Sequence, residues 1–428
     1  MSEILIVIGM ALSGLFLTDP FYGGGLTKSG LAKGVVLVFV GGPLLLHYVN
    51  RLFADAAGWR RSLGAVTAAW WPVMVLALLI TAGSVYARQA NKINETFLNM
   101  GLGMFFLPLF ALAVDSSARK ALFLRGLLVV YLLTALSMFG VAAARFHVLH
   151  EQIFWAVPVG MYFLAAHRVS PVKVVAGLAL TGLSLLAFKN TTFLLVLMCL
   201  AAWVVFLLLR MKAQPDRLKA LVTIYFSALA VLALAVAGAV GWWLIRDTLP
   251  HGNASYRLEM YGIALRRFLA SPVWGSLFTE SSVNYFGLYK IPTAESQYLP
   301  THSDILDILA HGGLTATALW LATVWRILGI AASAFSVVVR GETGSQDCGW
   351  RWLLVLGLVQ VGAVVTYAVN PPLIRLVDGL WIWGGAGVLW ALQRHLAAAT
   401  KPVAARSPLQ AAPLRRWGIK PAARRLAG

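Results

Sequence analysis

Residues 221–245, LVTIYFSALAVLALAVAGAVGWWLI, contain no charged side chain. A helix needs roughly 20 apolar residues to cross the hydrocarbon core of a bilayer, and this stretch is longer than that. The 428-residue chain is 60% hydrophobic and 12% charged, whereas soluble domains are about 45–50% apolar and about 25% charged. The sequence therefore predicts an all-α, polytopic membrane protein and excludes soluble enzymes, disordered scaffolds and secreted disulfide-rich domains.

Comparable apolar stretches on both sides of residues 221–245 predict about twelve membrane-spanning helices. They lie at residues 4–18, 34–49, 69–86, 97–114, 122–144, 153–166, 172–188, 193–209, 221–245, 313–335, 353–369 and 380–396. Several stretches are short, so a merged or divided pair would change the count by one. The first stretch is interpreted as a span rather than a signal peptide, because residues 1–3 carry neither Lys nor Arg.

The distribution of charge between these spans predicts the orientation of the chain. A cytoplasmic N-terminus places 22 of the 35 Lys and Arg and 6 of the 16 Asp and Glu on the cytoplasmic side. The opposite side receives 12 basic and 10 acidic residues, so the two sides carry +16 and +2. Basic residues accumulate in cytoplasmic loops, and we therefore expect both termini in the cytoplasm. Because the charges are dispersed between apolar runs, the net charge of +19 does not indicate a nucleic-acid partner.

Residues 1–398 are expected to form a single transmembrane domain, and residues 399–428 a disordered cytoplasmic tail. The tail is rich in Ala, Pro and Arg, and its positive charge favours contact with anionic lipids. The two cysteines, Cys199 and Cys348, fall at different predicted depths. We therefore expect no disulfide between them.

One connection, residues 246–312, is far longer than the others and lies on the side opposite the termini. Loops of this length in a compact architecture are usually functional. Residues 253–270 have helical periodicity and are followed by a helix stop at Ser271 and Pro272. The apolar positions of this segment are Leu258, Tyr261, Leu265, Phe268 and Leu269. This stripe suits a helix at the membrane surface or one packed against the bundle.

A second helix is predicted at the end of the same connection. Thr301 and Asp304 form a pattern that resembles a capping box before the apolar run 305–309. With Thr301 as the N-cap, His302 lies in the first turn, where the helix dipole favours a neutral imidazole that is available as a base. Backbone N–H groups at this position suit an anion. The alternative is that His302 only helps to start the helix.

The stretch THSDILDILAHGGL at residues 301–314 resembles the His-Asn/Ser-x-x-Leu-x-x-x-x-x-x-Gly signature of the O-antigen ligase and polymerase family. Arg257, followed by an amphipathic helix and PVWG at residues 272–275, resembles that family's Arg, helix and Pro-x-x-Gly segment. KNTT at residues 189–192 stands where members often carry Ser-Arg-Gly. The order of the motifs and the large loop between the predicted ninth and tenth spans are also similar to the family.

The resemblance implies a GT-C-like fold in the bacterial inner membrane, with the active site on the periplasmic face. It implies transfer of a glycan from an undecaprenyl-diphosphate carrier to an acceptor, which for a ligase is the lipid A–core of lipopolysaccharide. His302 would be the general base, and no cofactor is implied. Such a donor needs cations at headgroup depth to face its diphosphate. The candidates are Lys189, Arg257, Arg145 and Arg266.

Each candidate cation also has a simpler interpretation. Lys189 and Arg145 suit side chains that extend to the membrane interface. Arg257 suits a lipid contact or an ion pair with Glu259 or Asp247.

Arg266 and Arg267 suit a face that meets solvent or lipid headgroups. Two positions depart from the family pattern. Lys189 replaces an Arg and lacks the bidentate fork that matches phosphate. Ser303 replaces the commoner Asn, which places in question any hydrogen bond that the Asn makes.

The sequence gives little support to a metal site, since it contains no His-Glu-x-x-His pattern, Asp-x-Asp pair or cysteine cluster. Asp304 and Asp307, one helical turn apart, are interpreted as a cap and a solvent-facing carboxylate rather than as Mg²⁺ ligands. His311 is expected to face the helix surface as a bystander. We therefore expect metal-independent transfer, in which basic side chains stabilise the leaving diphosphate and direct displacement inverts the anomeric centre.

Two other functions compete with a ligase. An O-antigen polymerase would use a second carrier-linked repeat unit as its acceptor. A lipid or solute transporter would concentrate ionisable residues along a path in the middle of the membrane. The predicted ionisable residues lie instead at the outer edge and in one loop, and no internal repeat is visible, which favours the transferase.

Overall fold

The computed structural model describes residues 2–18, 30–89, 95–114, 124–134, 136, 156–164, 171–183, 190–211, 253–279, 303–340, 349–369, 373 and 376–400. All regular secondary structure within these ranges is helical, which confirms the prediction of an all-α protein. The helices are α1 (Ser2–Thr18), α2 (Gly30–Val36), α3 (Gly42–Ala54), α4 (Ala56–Gln89), α5 (Glu95–Met104), α6 (Phe106–Val114), α7 (Leu124–Thr134), α8 (Ala156–Leu164), α9 (Pro171–Leu183), α10 (Asn190–Met211), α11 (Asn253–Ala270), α12 (Asp304–Arg340), α13 (Gly349–Val369) and α14 (Leu376–Thr400). A π-helix, Leu37–Gly41, joins α2 to α3.

Helices are present in eleven of the twelve predicted spans, while residues 221–245 lie outside the described ranges. Among the described residues, four helical stretches are long and apolar enough to cross a membrane. These are Lys33–Ala54, Ala56–Tyr86, Phe97–Val114 and Asp304–Ser336. The protein is thus a multi-pass membrane protein, and the count of twelve and the cytoplasmic termini stay predictions.

Prolines divide two of the predicted spans. Pro108 has no N–H to donate to the carbonyl of Met104, and the chain turns at Phe105 between α5 and α6. In α4, Trp70 has non-helical φ and ψ angles of −123° and 15°, two residues before Pro72. Missing or displaced intrahelical hydrogen bonds at proline produce such kinks.

Helix α14 lies at the centre of the bundle, and its residues from Leu376 to Leu392 are buried. Glycine lets it approach its neighbours closely, since a Cβ on Gly379 would lie 3.0 Å from the Cα of Gly103 in α5. The side chain of Gln360 in α13 donates a hydrogen bond of 2.9 Å to the carbonyl of Ile382 in α14. Small residues and interhelical polar bonds are the usual means of packing in a membrane, where water does not drive helices together.

Candidate functional site

Helix α11 has the predicted bounds and rests on α12. It begins at Asn253 and ends at Ala270, immediately before Ser271 and Pro272. Its buried face is formed by Met260, Ile263 and Ala264, whereas Leu265 and Leu269 are 50% and 62% exposed. The helix therefore packs against the bundle through one apolar face and presents a second one outward, next to the exposed Arg266.

The turn that follows α11, residues 271–279, is hydrogen-bonded to a kink in α12. We call this contact between residues 271–279 and 311–315 the junction. The amides of Leu314 and Thr315 donate to the carbonyls of Pro272 and Val273 at 2.8 and 3.1 Å. In return, the amide of Phe278 donates to the carbonyl of His311 at 3.2 Å. The turn thus provides the hydrogen-bond partners that a helix loses at a kink.

Two glycines make the junction possible. Gly313 has φ and ψ angles of 59° and −161°, a combination that is essentially restricted to glycine. Gly275 has a φ of 60°. A Cβ on Gly275 would lie 2.5 Å from the carbonyl carbon of His311, and one on Gly313 would lie 2.5 Å from the carbonyl carbon of Val273. Both glycines belong to the motifs quoted above, so the two motifs meet in space.

His311 is buried in the junction, and the prediction that it faces the helix surface as a bystander is wrong. Its Nδ1 lies 3.0 Å from Oγ of Ser276. The ring packs edge-on against Phe97, with centroids 4.6 Å apart, and is stacked on Phe278 at 6.3 Å. The error arose because residues 271–279 cover the helix at this point. The only signal in the sequence was the pair of glycines that follows His311.

An N-cap at Thr301 predicts that the helix begins at residue 302. Helix α12 begins two residues later, at Asp304. The backbone carbonyl of Ser303 accepts from the amide of Asp307 at 3.0 Å, and its Oγ accepts from the amide of Leu306 at 3.4 Å. These bonds make Ser303 the N-cap. His302 therefore precedes the helix instead of lying in its first turn.

The two residues after His302 are bound to other parts of the bundle. Oγ of Ser303 donates to the carbonyl of Tyr367 in α13 at 3.4 Å. Oδ2 of Asp304 accepts from the amide of Leu373, between α13 and α14, at 3.1 Å. The start of α12 is consequently fixed to the C-terminal end of α13 and to the connection between α13 and α14.

The first turn of α12 is acidic and buried. Asp304 is 0% exposed and Asp307 is 2% exposed, so the interpretation of Asp307 as a solvent-facing carboxylate is wrong. The carboxylates of Asp307 and Asp378 lie close enough to Asp304 to interact with it electrostatically. Asp304 and Asp307 thus line the first turn of α12, where we expected an anion to bind. Among the described residues, no group of three or more His, Cys, Asp or Glu side chains is placed to hold a metal ion.

The structure brings together only part of the predicted site. Arg257 and Arg266 lie on α11, which packs against α12. Lys189 directly precedes α10 and His302 directly precedes Ser303, but both residues lie outside the described ranges, as does Arg145. The roles assigned to these five residues stay predictions.

A comparison with known protein families finds a match that includes this part of the structure. Residues 175–321 match the model of a family described as O-antigen ligase. The matched range includes α11, the junction and the start of α12, as well as Lys189 and His302, whereas Arg145 precedes it. A comparison with curated proteins found no match.

Proposed function

We propose that the protein is a membrane glycosyltransferase that ligates O-polysaccharide to the lipid A–core of lipopolysaccharide, a proposal supported by the match of residues 175–321 to the O-antigen ligase family. The donor would be linked to undecaprenyl diphosphate, and the reaction would take place at the periplasmic face of the inner membrane.

The junction is the observation that carries this proposal. It joins the C-terminal end of α11, the helix of Arg257 and Arg266, to α12, which begins at Asp304, two residues after His302 in the chain. A transferase for a lipid-linked diphosphate needs cations and a base at a constant separation, because positioning provides a large part of the rate enhancement. Hydrogen bonds between main chains hold the two elements, which suits this requirement.

In the proposed reaction, the acceptor hydroxyl oxygen attacks the anomeric carbon of the donor. The new carbon–oxygen bond forms as the bond between that carbon and the diphosphate breaks, with inversion. His302 accepts the proton of the hydroxyl, a contribution typically of about 10²–10⁴-fold. The diphosphate leaves with the electron pair and an additional negative charge. Lys189, Arg257, Arg145 and Arg266 would stabilise that charge at the membrane interface.

Ser303 and Asp304 support the assignment of His302 through their contacts. Both are bound to α13 or to Leu373, so the two residues that follow His302 in the chain have fixed partners.

Catalysis without a metal is part of the proposal. The basic side chains take the place of a metal clamp on the diphosphate. If the purified protein transfers glycan in EDTA at an unchanged rate, that result would support catalysis without a metal. Loss of transfer with rescue by Mg²⁺ would contradict it.

A test of the function itself begins with deletion of the protein in its source organism. Loss of a ligase leaves carrier-linked polymer and unmodified lipid A–core on lipopolysaccharide gels. Loss of a polymerase leaves lipid A–core that carries one repeat unit. That result would indicate that the acceptor is a second carrier-linked repeat unit rather than lipid A–core. Unchanged lipopolysaccharide would contradict both activities.

Site-directed variants of the purified protein then test the assigned roles. His302→Ala should retain donor binding while transfer falls by about 10²-fold or more. Lys189→Ala and Arg257→Ala should weaken donor binding and transfer together, whereas Lys189→Arg should keep partial or full activity. Arg60→Ala, which removes an exposed arginine from α4, is the control and should behave like the parent. Transfer by a folded His302→Ala variant at the parental rate would exclude the general base.

A further inference from the structure

Arg326 stands out in the apolar part of α12. It is exposed at the surface of the bundle, one residue from Trp325, which is 81% exposed, and five from Leu321, which is 53% exposed. An arginine on a surface that otherwise suits lipid is costly unless its charge reaches the interface or a counter-ion.

Arg326 belongs to a continuous set of stacked groups, which we call the arginine–tryptophan cluster. Its guanidinium lies 5.5 Å from the ring centroid of Trp70 in α4. Trp70 packs edge-on against Trp390 of α14, with centroids 6.2 Å apart. The guanidinium of Arg394, which is also exposed, lies 4.7 Å from the ring of Trp390. Two buried indoles from two helices therefore hold two guanidinium groups at the surface.

The cluster lies at the end of the bundle away from the junction. Gly83 of α4 and Gly312 of α12 both approach Phe278 in the junction. Trp70 precedes Gly83 by thirteen residues and Arg326 follows Gly312 by fourteen, a distance of about 20 Å at 1.5 Å per residue. A hydrocarbon core is about 30 Å thick, and a long arginine side chain extends toward the headgroups. The two guanidinium groups are thus within reach of the opposite membrane surface.

Neither arginine forms an ion pair with a residue that the structure describes. The indole rings contact the guanidinium planes and leave N–H groups at their edges for an anion, which is the geometry that suits phosphate. At this depth the available anions are phospholipid phosphates. Because the cluster carries two positive charges, it repels the cationic group of a zwitterionic headgroup such as that of phosphatidylcholine. We propose that the arginine–tryptophan cluster binds the phosphate of an anionic phospholipid in the leaflet opposite the junction.

Titration of the delipidated full-length protein with phosphatidylglycerol or phosphatidylcholine, followed by native mass spectrometry, tests this proposal. The parent should prefer phosphatidylglycerol. Since an arginine near an anionic surface contributes about 1 kcal/mol, Arg326→Gln and Arg394→Gln should each reduce the preference about fivefold, and together about 25-fold.

Two further variants separate a site from general surface charge. Arg125→Gln removes an exposed arginine from α7 and should leave the preference unchanged. Trp390→Leu keeps both charges but removes a stacking surface, and it should give an intermediate loss. Thermal unfolding in phosphatidylcholine identifies any variant that is misfolded. Equal binding of the two lipids by the parent, or equal losses in Arg125→Gln and in the arginine double variant, would overturn the proposal.

Discussion

The two parts of α12 on either side of its kink satisfy their polar groups in different ways. Beyond the kink, three hydroxyls, those of Thr317, Thr323 and Ser336, donate to carbonyls of their own helix, four residues earlier, at 2.8, 2.8 and 3.1 Å. Ser333 is an exception, because it accepts from Gln393 of α14 at 2.8 Å. Before the kink, Ser303 and Asp304 bond to residues near the ends of other helices.

This difference in hydrogen bonding distinguishes the apolar part of α12 beyond the kink, which suits a membrane span, from the part that leads into the junction. In a bilayer the backbone and hydroxyl groups of a helix have no water to bond, so they are satisfied within the helix. The part before the kink depends instead on partners that are distant in sequence, and its geometry holds only while those partners are in place. The residues that we propose for catalysis are attached to this dependent part, and changes there should therefore have larger effects than changes beyond the kink.

The largest effect is expected for Gly313→Ala. Alanine is strained at the φ and ψ angles of this residue by about 1–3 kcal/mol. Its Cβ would also meet the backbone of Val273 at 2.5 Å. We expect a loss of about 3 kcal/mol or more in unfolding free energy, measured by denaturation in mixed micelles, together with loss of glycan transfer.

Gly329→Ala is the matched control for this change. Gly329 lies on the same helix beyond the kink, and a Cβ there would meet nothing within 4 Å. Its replacement should be neutral or stabilising, by up to about 1 kcal/mol, because alanine favours helix. If both variants lose stability equally, the kink is not specially constrained and the distinction between the two parts of α12 is wrong.

The sequence predicted the features that depend on neighbouring residues. The bounds of α11 were correct because Ser271 and Pro272 stop a helix wherever it packs. The partners of Asp304 and His311, in contrast, are Leu373 and Ser276, which are 69 and 35 residues away in the chain. The local sequence pattern contains no information about such contacts, so it predicted neither the bond of Asp304 to Leu373 nor the burial of His311.

The start of α12 shows the same limit on a smaller scale. Thr301 and Ser303 are both suitable N-cap residues, and the sequence pattern favoured the first. In the structure Ser303 is the cap and also donates to Tyr367, a contact with α13 that spacing does not reveal. Both residues are acceptable N-caps by local sequence, and the contact of Ser303 with another helix favours the start that the structure shows.

An intermediate effect is expected for Asp304→Ala. The change removes the acceptor for the buried amide of Leu373, which should cost about 1–3 kcal/mol of unfolding free energy. Asp304→Asn keeps an acceptor oxygen of the same shape and should recover most of the stability. If Asn and Ala at this position are equally unstable, the negative charge rather than the hydrogen bond fixes the start of α12.

A smaller loss is expected for Ser276→Ala. It removes the hydroxyl that lies 3.0 Å from Nδ1 of His311 but keeps the backbone bonds of the junction. We expect a loss of about 1 kcal/mol in the same denaturation experiment, and Ser276→Thr should preserve the bond if the added methyl fits. No loss in Ser276→Ala would show that the backbone bonds alone hold the junction.

The smallest effect is expected for Thr323→Val, in the part of α12 beyond the kink. Thr323 is 1% exposed and is more buried than Ser276, so burial alone predicts a loss at least as large as that of Ser276→Ala. Its hydroxyl, however, bonds only within its own helix, to a carbonyl that also serves the backbone ladder. Valine has nearly the same shape, so the change in unfolding free energy should stay within about 0.5 kcal/mol. Equal losses in Thr323→Val and Ser276→Ala would mean that the stability of α12 follows burial rather than the position of the hydrogen-bond partner.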